Sequence, residues 1–235
     1  MKRYESESNE RKREETKMKS PFEGLSGVQI HKLYELLGAH IYFYRKNQEI
    51  LPTMKNNNMI GVVLEGSASI QNVEYNGNTI VLETLEKDSI FGTNISATHL
   101  ENYEIVARQD AQILIIDYSS LIRPENLSHG YYTIFLRNLF DIINMKFRKA
   151  NERIKVLEEK QIRDKILMYF EIEFKKGRRR YIELPFSWKD FADYIASNRT
   201  AMFRELKSLK EEGFISVKGR RVFLLYKDSA PDLDL

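Results

Sequence analysis

From Leu136 to Leu157 apolar residues return at alternating intervals of four and three: Leu136, Phe140, Ile143, Phe147, Ala150, Ile154 and Leu157. That spacing lays a stripe along one side of a helix at the 3.5-residue period of a coiled coil, the pattern by which two helices pack on each other. Leu139, Ile142 and Met145 add a flanking apolar stripe suited to packing on a neighbouring domain. A helix of roughly 28 residues is about 42 Å long, more than a small domain needs. The pattern therefore predicts a dimerisation helix over residues 129–158. The competing reading is a wide-faced helix buried within its own domain.

Upstream the period changes. Between residues 39 and 118 lie short β-prone runs, AHIYFY, IGVVLEG, SASIQNVEY, NTIVLETL, YEIVARQ and AQILIID, separated by Asn, Gly, Asp and Lys. Tyr75-Asn76-Gly77-Asn78 is a hairpin signal, because Asn-Gly accepts the positive φ angles of a tight primed turn. Evenly spaced short strands predict a small barrel or jelly roll. Before them, Val28, Ile30, Leu33, Leu36 and Leu37 recur at helical spacing and predict a short helix from Pro21 to about Leu37.

Downstream, a helix through IRDKILMYFEIEFKK ends at Gly177, and RRRYIELPF reads as a short strand. Ser187-Trp188-Lys189-Asp190 resembles a capping box and opens a helix over WKDFADYI. Ala196-Ser197-Asn198 makes a turn, and RTAMFRELKSLKEE makes a second helix closed by Gly213. On that helix Met202, Leu206 and Leu209 share one face, with Thr200, Arg204, Lys207, Ser208 and Glu211 on the other. FISV and VFLLY then flank the basic turn Lys218-Gly219-Arg220-Arg221. Helix, tight turn, amphipathic basic helix and basic hairpin together predict a winged helix-turn-helix.

The fold class expected is thus α+β, with an N-terminal β jelly roll, a long dimerisation helix and a C-terminal winged helix-turn-helix. The predicted domains are a disordered charged tail over 1–20, a β-roll sensor over 21–128, the helix over 129–158 and the winged domain over 159–235.

Charge sharpens this picture. Residues 160–227 carry 17 Lys+Arg against 9 Asp+Glu, a net of +8, whereas residues 1–159 carry 20 against 22, a net of −2. A basic unit following a near-neutral one fits a nucleic-acid partner. The first 20 residues alternate charges with few apolar side chains, too few to offset the entropy of ordering. They lack the apolar core of a signal peptide, and no apolar run approaches the roughly 18 residues of a membrane span, so a cytoplasmic protein without a membrane partner is expected.

The 235-residue chain has no cysteine, which excludes disulfides, thiolate nucleophiles and Cys-ligated metal or iron-sulfur sites. It has no His-x-His pair, P-loop, nucleophile elbow or HExxH helix, so no catalytic residue, no metal site and no enzyme activity are expected. Its four histidines, His31, His40, His99 and His129, lie scattered without a haem-ligand context.

The order of β-roll, long helix and FADYIASNRTAMFRELKSLKEEGFISVKGRRVFLL resembles the Crp/Fnr family of bacterial transcription regulators, over about residues 22–227. The resemblance implies a dimer on a pseudo-palindromic site, its second motif helix entering the major groove. In that family an Arg near the start of this helix and another five residues later contact bases or the neighbouring backbone. Arg199 and Arg204 stand at that spacing, each able either to donate two hydrogen bonds to a guanine or to bind phosphate. Thr200 occupies a position where many relatives carry Glu, which alters the expected half-site. Phe203 replaces a residue often small in relatives, and either touches a thymine methyl or covers its own domain. Lys189, Ser197, Asn198, Lys207, Lys218, Arg220 and Arg221 are assigned to the phosphate backbone.

MIGVVLEGSASIQNVEYNGNTIVLETLEKDSIFG likewise resembles the family's cyclic-nucleotide-type roll. Members that bind cyclic AMP carry a glutamate for the ribose and an Arg-Ser or Arg-Thr pair for the phosphate in the following loop. Here that stretch reads Thr93-Asn94-Ile95-Ser96-Ala97-Thr98-His99, which argues against a cyclic nucleotide, because a buried phosphate without arginine is poorly compensated. Iron-sulfur clusters and haem are argued against on the grounds above, leaving the cofactor unknown. The partners implied are double-stranded DNA, a second copy of the chain and RNA polymerase, with an unidentified small effector left open. A dimeric module whose winged domain binds a protein is the alternative function.

Overall fold

The computed structural model describes residues 20–50, 58–73, 79–92, 103–177 and 181–226. Residues 1–19 of the tail expected over 1–20, the Tyr75–Asn78 turn and the Thr93–His99 loop lie outside the described residues. The chain forms two compact units, Met1–Asn144 and Met145–Leu235.

The first unit opens with helix α1 (Gly27–Leu37). It starts later than the periodicity predicts. Gly24 adopts φ +80°, which turns the chain out of a helical path, and nucleation waits for Ser26. Ser26 and Gln29 form a reciprocal capping box, and Gly38 closes the helix in the left-handed region at φ 57°.

Among the described residues seven strands follow: β1 (His40–Tyr44), β2 (Met59–Glu65), β3 (Ala68–Val73), β4 (Thr79–Leu85), β5 (Ile90–Gly92), β6 (Tyr103–Ala107) and β7 (Ala111–Asp117). They make two antiparallel sheets, ordered β1-β7-β2-β5 and β4-β3-β6. Side chains from both, including Val63, Phe91, Ile113 and Ile115 from one and Ala68, Ile70, Leu85 and Ile105 from the other, fill a common core. The outer face of the four-stranded sheet is also covered: Ile60, Val62, Ile90, Leu114 and Ile116 pack on Leu33 and Leu37 of α1. Burial on both faces explains why β2 and β7 read as continuous apolar runs and not as alternating ones. β5, the strand missing from the sequence prediction, is three residues long, too short to show a period.

Helix α2 (Tyr118–Leu121) and a 3-10 turn (Pro124–Ser128) lead to α3 (Gly130–Glu158), the predicted long helix. Its first half belongs to the roll: Tyr132, Phe135, Leu139 and Ile142 are buried with α1 and the outer sheet face. Asn138, also buried, donates through Nδ2 to the carbonyls of Pro21 and Glu23 and fastens the chain ahead of α1. Near its end, Val156 is buried in the core of the second unit. Instead of forming a unit of its own over 129–158, α3 is shared, because its two halves bury side chains in different cores.

The second unit continues with α4 (Ile162–Lys176), β8 (Ile182–Glu183), α5 (Trp188–Tyr194), α6 (Arg199–Glu211), β9 (Ile215–Lys218) and β10 (Arg221–Leu224). The three strands pair in the order β8-β10-β9. Tyr169, Phe170, Phe186, Phe191 and Tyr194 build an aromatic cluster at its centre, with ring centroids 4.9–6.0 Å apart. Burial of these rings raises the pKa of Tyr169 and of Tyr194.

Gly66, between β2 and β3, adopts φ +78°, and a Cβ there would collide with the carbonyl oxygen of Asp110. Gly66→Ala is expected to destabilise the roll by about 2 to 4 kcal/mol, combining left-handed strain with overpacking. A denaturant midpoint unchanged by the substitution would contradict this packing.

Candidate nucleic-acid interface

The basic half of the second unit is built outward from its core. Ser187 caps α5 by accepting from the amide of Asp190 at 3.2 Å and donates from Oγ to that side chain at 2.7 Å. Ala196 takes φ 48° in the turn, and Asn198 caps α6, its Oδ1 accepting from the amides of Thr200 at 2.9 Å and Ala201 at 3.4 Å. Met202, Leu206 and Leu209 bury the inner face of α6 among Phe170, Phe191 and Ile195. The helix ends at Gly213, φ +76°, where the amide of Phe214 donates to Leu209 O at 2.9 Å.

With that face buried, Arg199, Thr200, Phe203, Arg204 and Lys207 line one open groove of about 600 Å³ on the outer side of α6. All five are exposed. Arg199 holds its guanidinium carbon 5.7 Å from the Phe203 ring centre, and Lys207 lies 3.6 Å from Glu211 one turn on. β9 and β10 form the predicted hairpin, its tip at Gly219 with φ +63°. Lys218, Arg220 and Arg221 are exposed there, and Lys189 is exposed on α5. Arg221 also serves its own domain, stacking 5.2 Å from the Tyr181 ring centre and lying 4.0 Å from Glu183. Ser197 is half-buried and donates to Asn198 O.

Sequence reasoning assigned no role to Trp188 beyond the helix start. Its indole Nε1 donates to Gly219 O in the wing turn at 3.1 Å, and its ring lies 6.4 Å from that of Phe203. Only the tertiary fold brings the wing, α5 and α6 together at this residue.

Two polar clusters hold α6 and the end of α3 in this unit. Arg163 of α4 grips Glu212, just past α6, with two hydrogen bonds of 2.7 and 2.5 Å, and stacks 5.1 Å from the Phe214 ring centre. Arg153 of α3 donates to Tyr194 O and lies over the Tyr194 ring, while Lys176 bonds both Glu152 and Glu173 at 2.6 Å. Burial opposes the Lys176 charge, yet the two carboxylates outweigh it and raise its pKa.

On α3 the seam residues separate into two groups. Phe140, Ile143, Phe147 and Ile154 are 64%, 39%, 66% and 51% exposed, and Ala150 is exposed beside them. Leu136 and Leu157 are half-buried, Leu136 against the roll's outer core. Of the histidines, His31 pairs with Glu35 at 3.4 Å and His129 stacks on Tyr131, while His99 lies outside the described residues. Among the described residues no helix is long and apolar enough to cross a membrane.

Two helices joined by a tight turn, the second with an exposed basic face, followed by a basic two-stranded hairpin, define a winged helix-turn-helix of the DNA-binding class. Residues 165–228 match the model of the Crp-like helix-turn-helix domain. The chain is 25% identical over 192 residues, 79% of its length and 78% of the relative's, to the putative HTH-type transcriptional regulator ycf28 of Porphyra purpurea. Its fold is similar to that of CprK complexed with OCPA, with a TM-score of 0.59 and 15% identity over 83% of this chain and 91% of that one. It is also similar to a variant of CooA from Carboxydothermus hydrogenoformans, with a TM-score of 0.56 and 19% identity over 88% and 92%. The chain carries a Crp-like helix-turn-helix domain over residues 165–228, and this domain together with the similar transcriptional regulator supports a DNA-binding transcription regulator of Crp/Fnr type.

The bonds from Arg163 and then from Ser208 hold the Glu212 carboxyl down at about 2, against an ordinary value of 4.5. A depressed carboxyl contributes stability above its unfolded pKa and loses it as the pH falls through the folded one. Glu212→Gln is therefore expected to flatten the acid loss of stability between about pH 4.5 and 2, measured by urea unfolding at stepped pH. An identical pH profile in the variant would contradict the clamp.

Proposed function

We propose that the chain acts in the cytoplasm as a homodimer on an approximately palindromic DNA site, with α6 of each copy in the major groove. Arg199, Thr200 and Arg204 contact base edges, and Lys189, Ser197, Asn198, Lys207, Lys218, Arg220 and Arg221 contact the backbone. The observation that carries this reading is the division of α6: its apolar ridge is buried, and its cationic and hydroxyl-bearing face is presented whole to solvent. An exposed arginine on such a face meets both the phosphate charge and the paired acceptors of guanine.

Dimerisation through α3 is supported by Phe140, Ile143, Phe147 and Ile154, bulky apolar groups left in water along one line of a helix. A second copy of the same stripe would bury them, and a two-fold dimer places two recognition helices about 34 Å apart, one turn of DNA. The regulatory output implied is contact with RNA polymerase from the bound dimer. For the β-roll two readings stay open, an unidentified small effector, its chemistry other than a cyclic nucleotide on the sequence of 93–99, or no effector at all.

Arg204→Ala is expected to cost about 1 to 3 kcal/mol on the specific site and to relax preference at one position of each half-site, measured by competition among single-base variants. Uniform loss over all sequences would make Arg204 a phosphate contact. Ile143→Glu is expected to give monomers in sedimentation and to abolish specific binding, since two charges would be buried in the seam. A dimer that survives this change would remove α3 as the interface. Binding should also weaken steeply as salt rises, whereas indifference to salt would favour a protein partner for the winged unit.

A further inference from the structure

Phe203 is 40% exposed on the face of α6 that otherwise carries Arg199, Thr200, Arg204 and Lys207. The core does not need it, because Met202, Leu206 and Leu209 already fill the inner side. Nor is it loose. Its ring rests beside Trp188 at 6.4 Å, and Trp188 is itself tied to the wing through Gly219 O. One turn back, Arg199 lies over the ring at 5.7 Å, close enough for a cation–π contact that biases where its guanidinium points. A groove of about 190 Å³, bounded by Trp188, Phe203, Leu206, Lys207, Lys210 and Val217, opens beside it.

A phenyl ring set among cations enters the major groove together with them. The base edges there are polar, and the apolar group they offer is the C5-methyl of thymine. A ring that met only polar edges would strip them of water without returning a hydrogen bond. We infer that Phe203 is a specificity-determining residue: it packs on the methyl of a thymine next to the base read by Arg199, and it positions that arginine through ring stacking. The half-site so defined pairs a guanine with an adjacent thymine. This inference rests on the proposed docking of α6 in the major groove.

The test uses the full-length protein and the duplex it selects, with each thymine replaced singly by deoxyuracil, which removes the methyl and nothing else. The expected result is one thymine per half-site whose replacement weakens binding about fourfold, the effect of leaving one methyl group unburied. That penalty should vanish in Phe203→Ala and persist in Phe203→Leu, whose side chain is still apolar, with helix content and melting temperature close to those of the original protein in both. A methyl penalty equally large in Phe203→Ala would overturn the assignment, as would specific binding indifferent to every thymine methyl. Failure of the unmodified protein to select any duplex would instead overturn the DNA-binding reading underneath, and it is distinguishable because it needs no variant.

Discussion

The rotation of α6 about its own axis is the constraint on which the function depends. Burial of Met202, Leu206 and Leu209 against the aromatic cluster of α4 and α5 fixes that rotation, and a slip of one residue would turn Arg199 and Arg204 by about 100° away from any groove. Each of these three side chains contributes on the order of 1.5 to 3 kcal/mol by leaving water. The Asn198 cap and the Arg163–Glu212 clamp fix the two ends of the same helix. The residues proposed to read DNA can then be long, polar and exposed, because residues beneath them hold the geometry.

A similar division of labour appears in α3. Its residues fall into three sets: Tyr132, Phe135, Leu139 and Ile142 buried in the roll, Val156 buried with the winged unit, and Phe140, Ile143, Phe147 and Ile154 left exposed. A helix apolar on so much of its circumference has more surface to bury than one chain can cover. Packing in both cores and an exposed apolar stripe between them suit the dimerisation role proposed for α3.

Much of this was legible in the sequence, for reasons that differ by element. α6 and the wing were readable because amphipathic period, caps and basic turn coincide within a few residues, and Gly213 and Gly219 adopt the positive φ angles their positions imply. The long helix α3 was readable because a strict four-three repeat over 22 residues, Leu136 to Leu157, seldom arises except along one line of a single long helix. β5 was not, since three residues carry no period, and α1 was drawn too long because its start was set at Pro21, whereas Gly24 breaks the backbone and the cap falls at Ser26. In the candidate site, the exposure of the charged residues was legible from type and spacing. Trp188 was not, because its link to the wing joins positions 31 apart in sequence.

Selection of duplexes from a random pool by the purified protein, at near-physiological salt and without added ligand, tests the central claim most directly. The expected result is an enriched sequence with two inverted half-sites whose centres lie about one helical turn apart, as two α6 helices on a two-fold axis require. Enrichment of a single, asymmetric site would contradict the dimer, and no enrichment above random sequence would contradict specific recognition by the exposed face of α6.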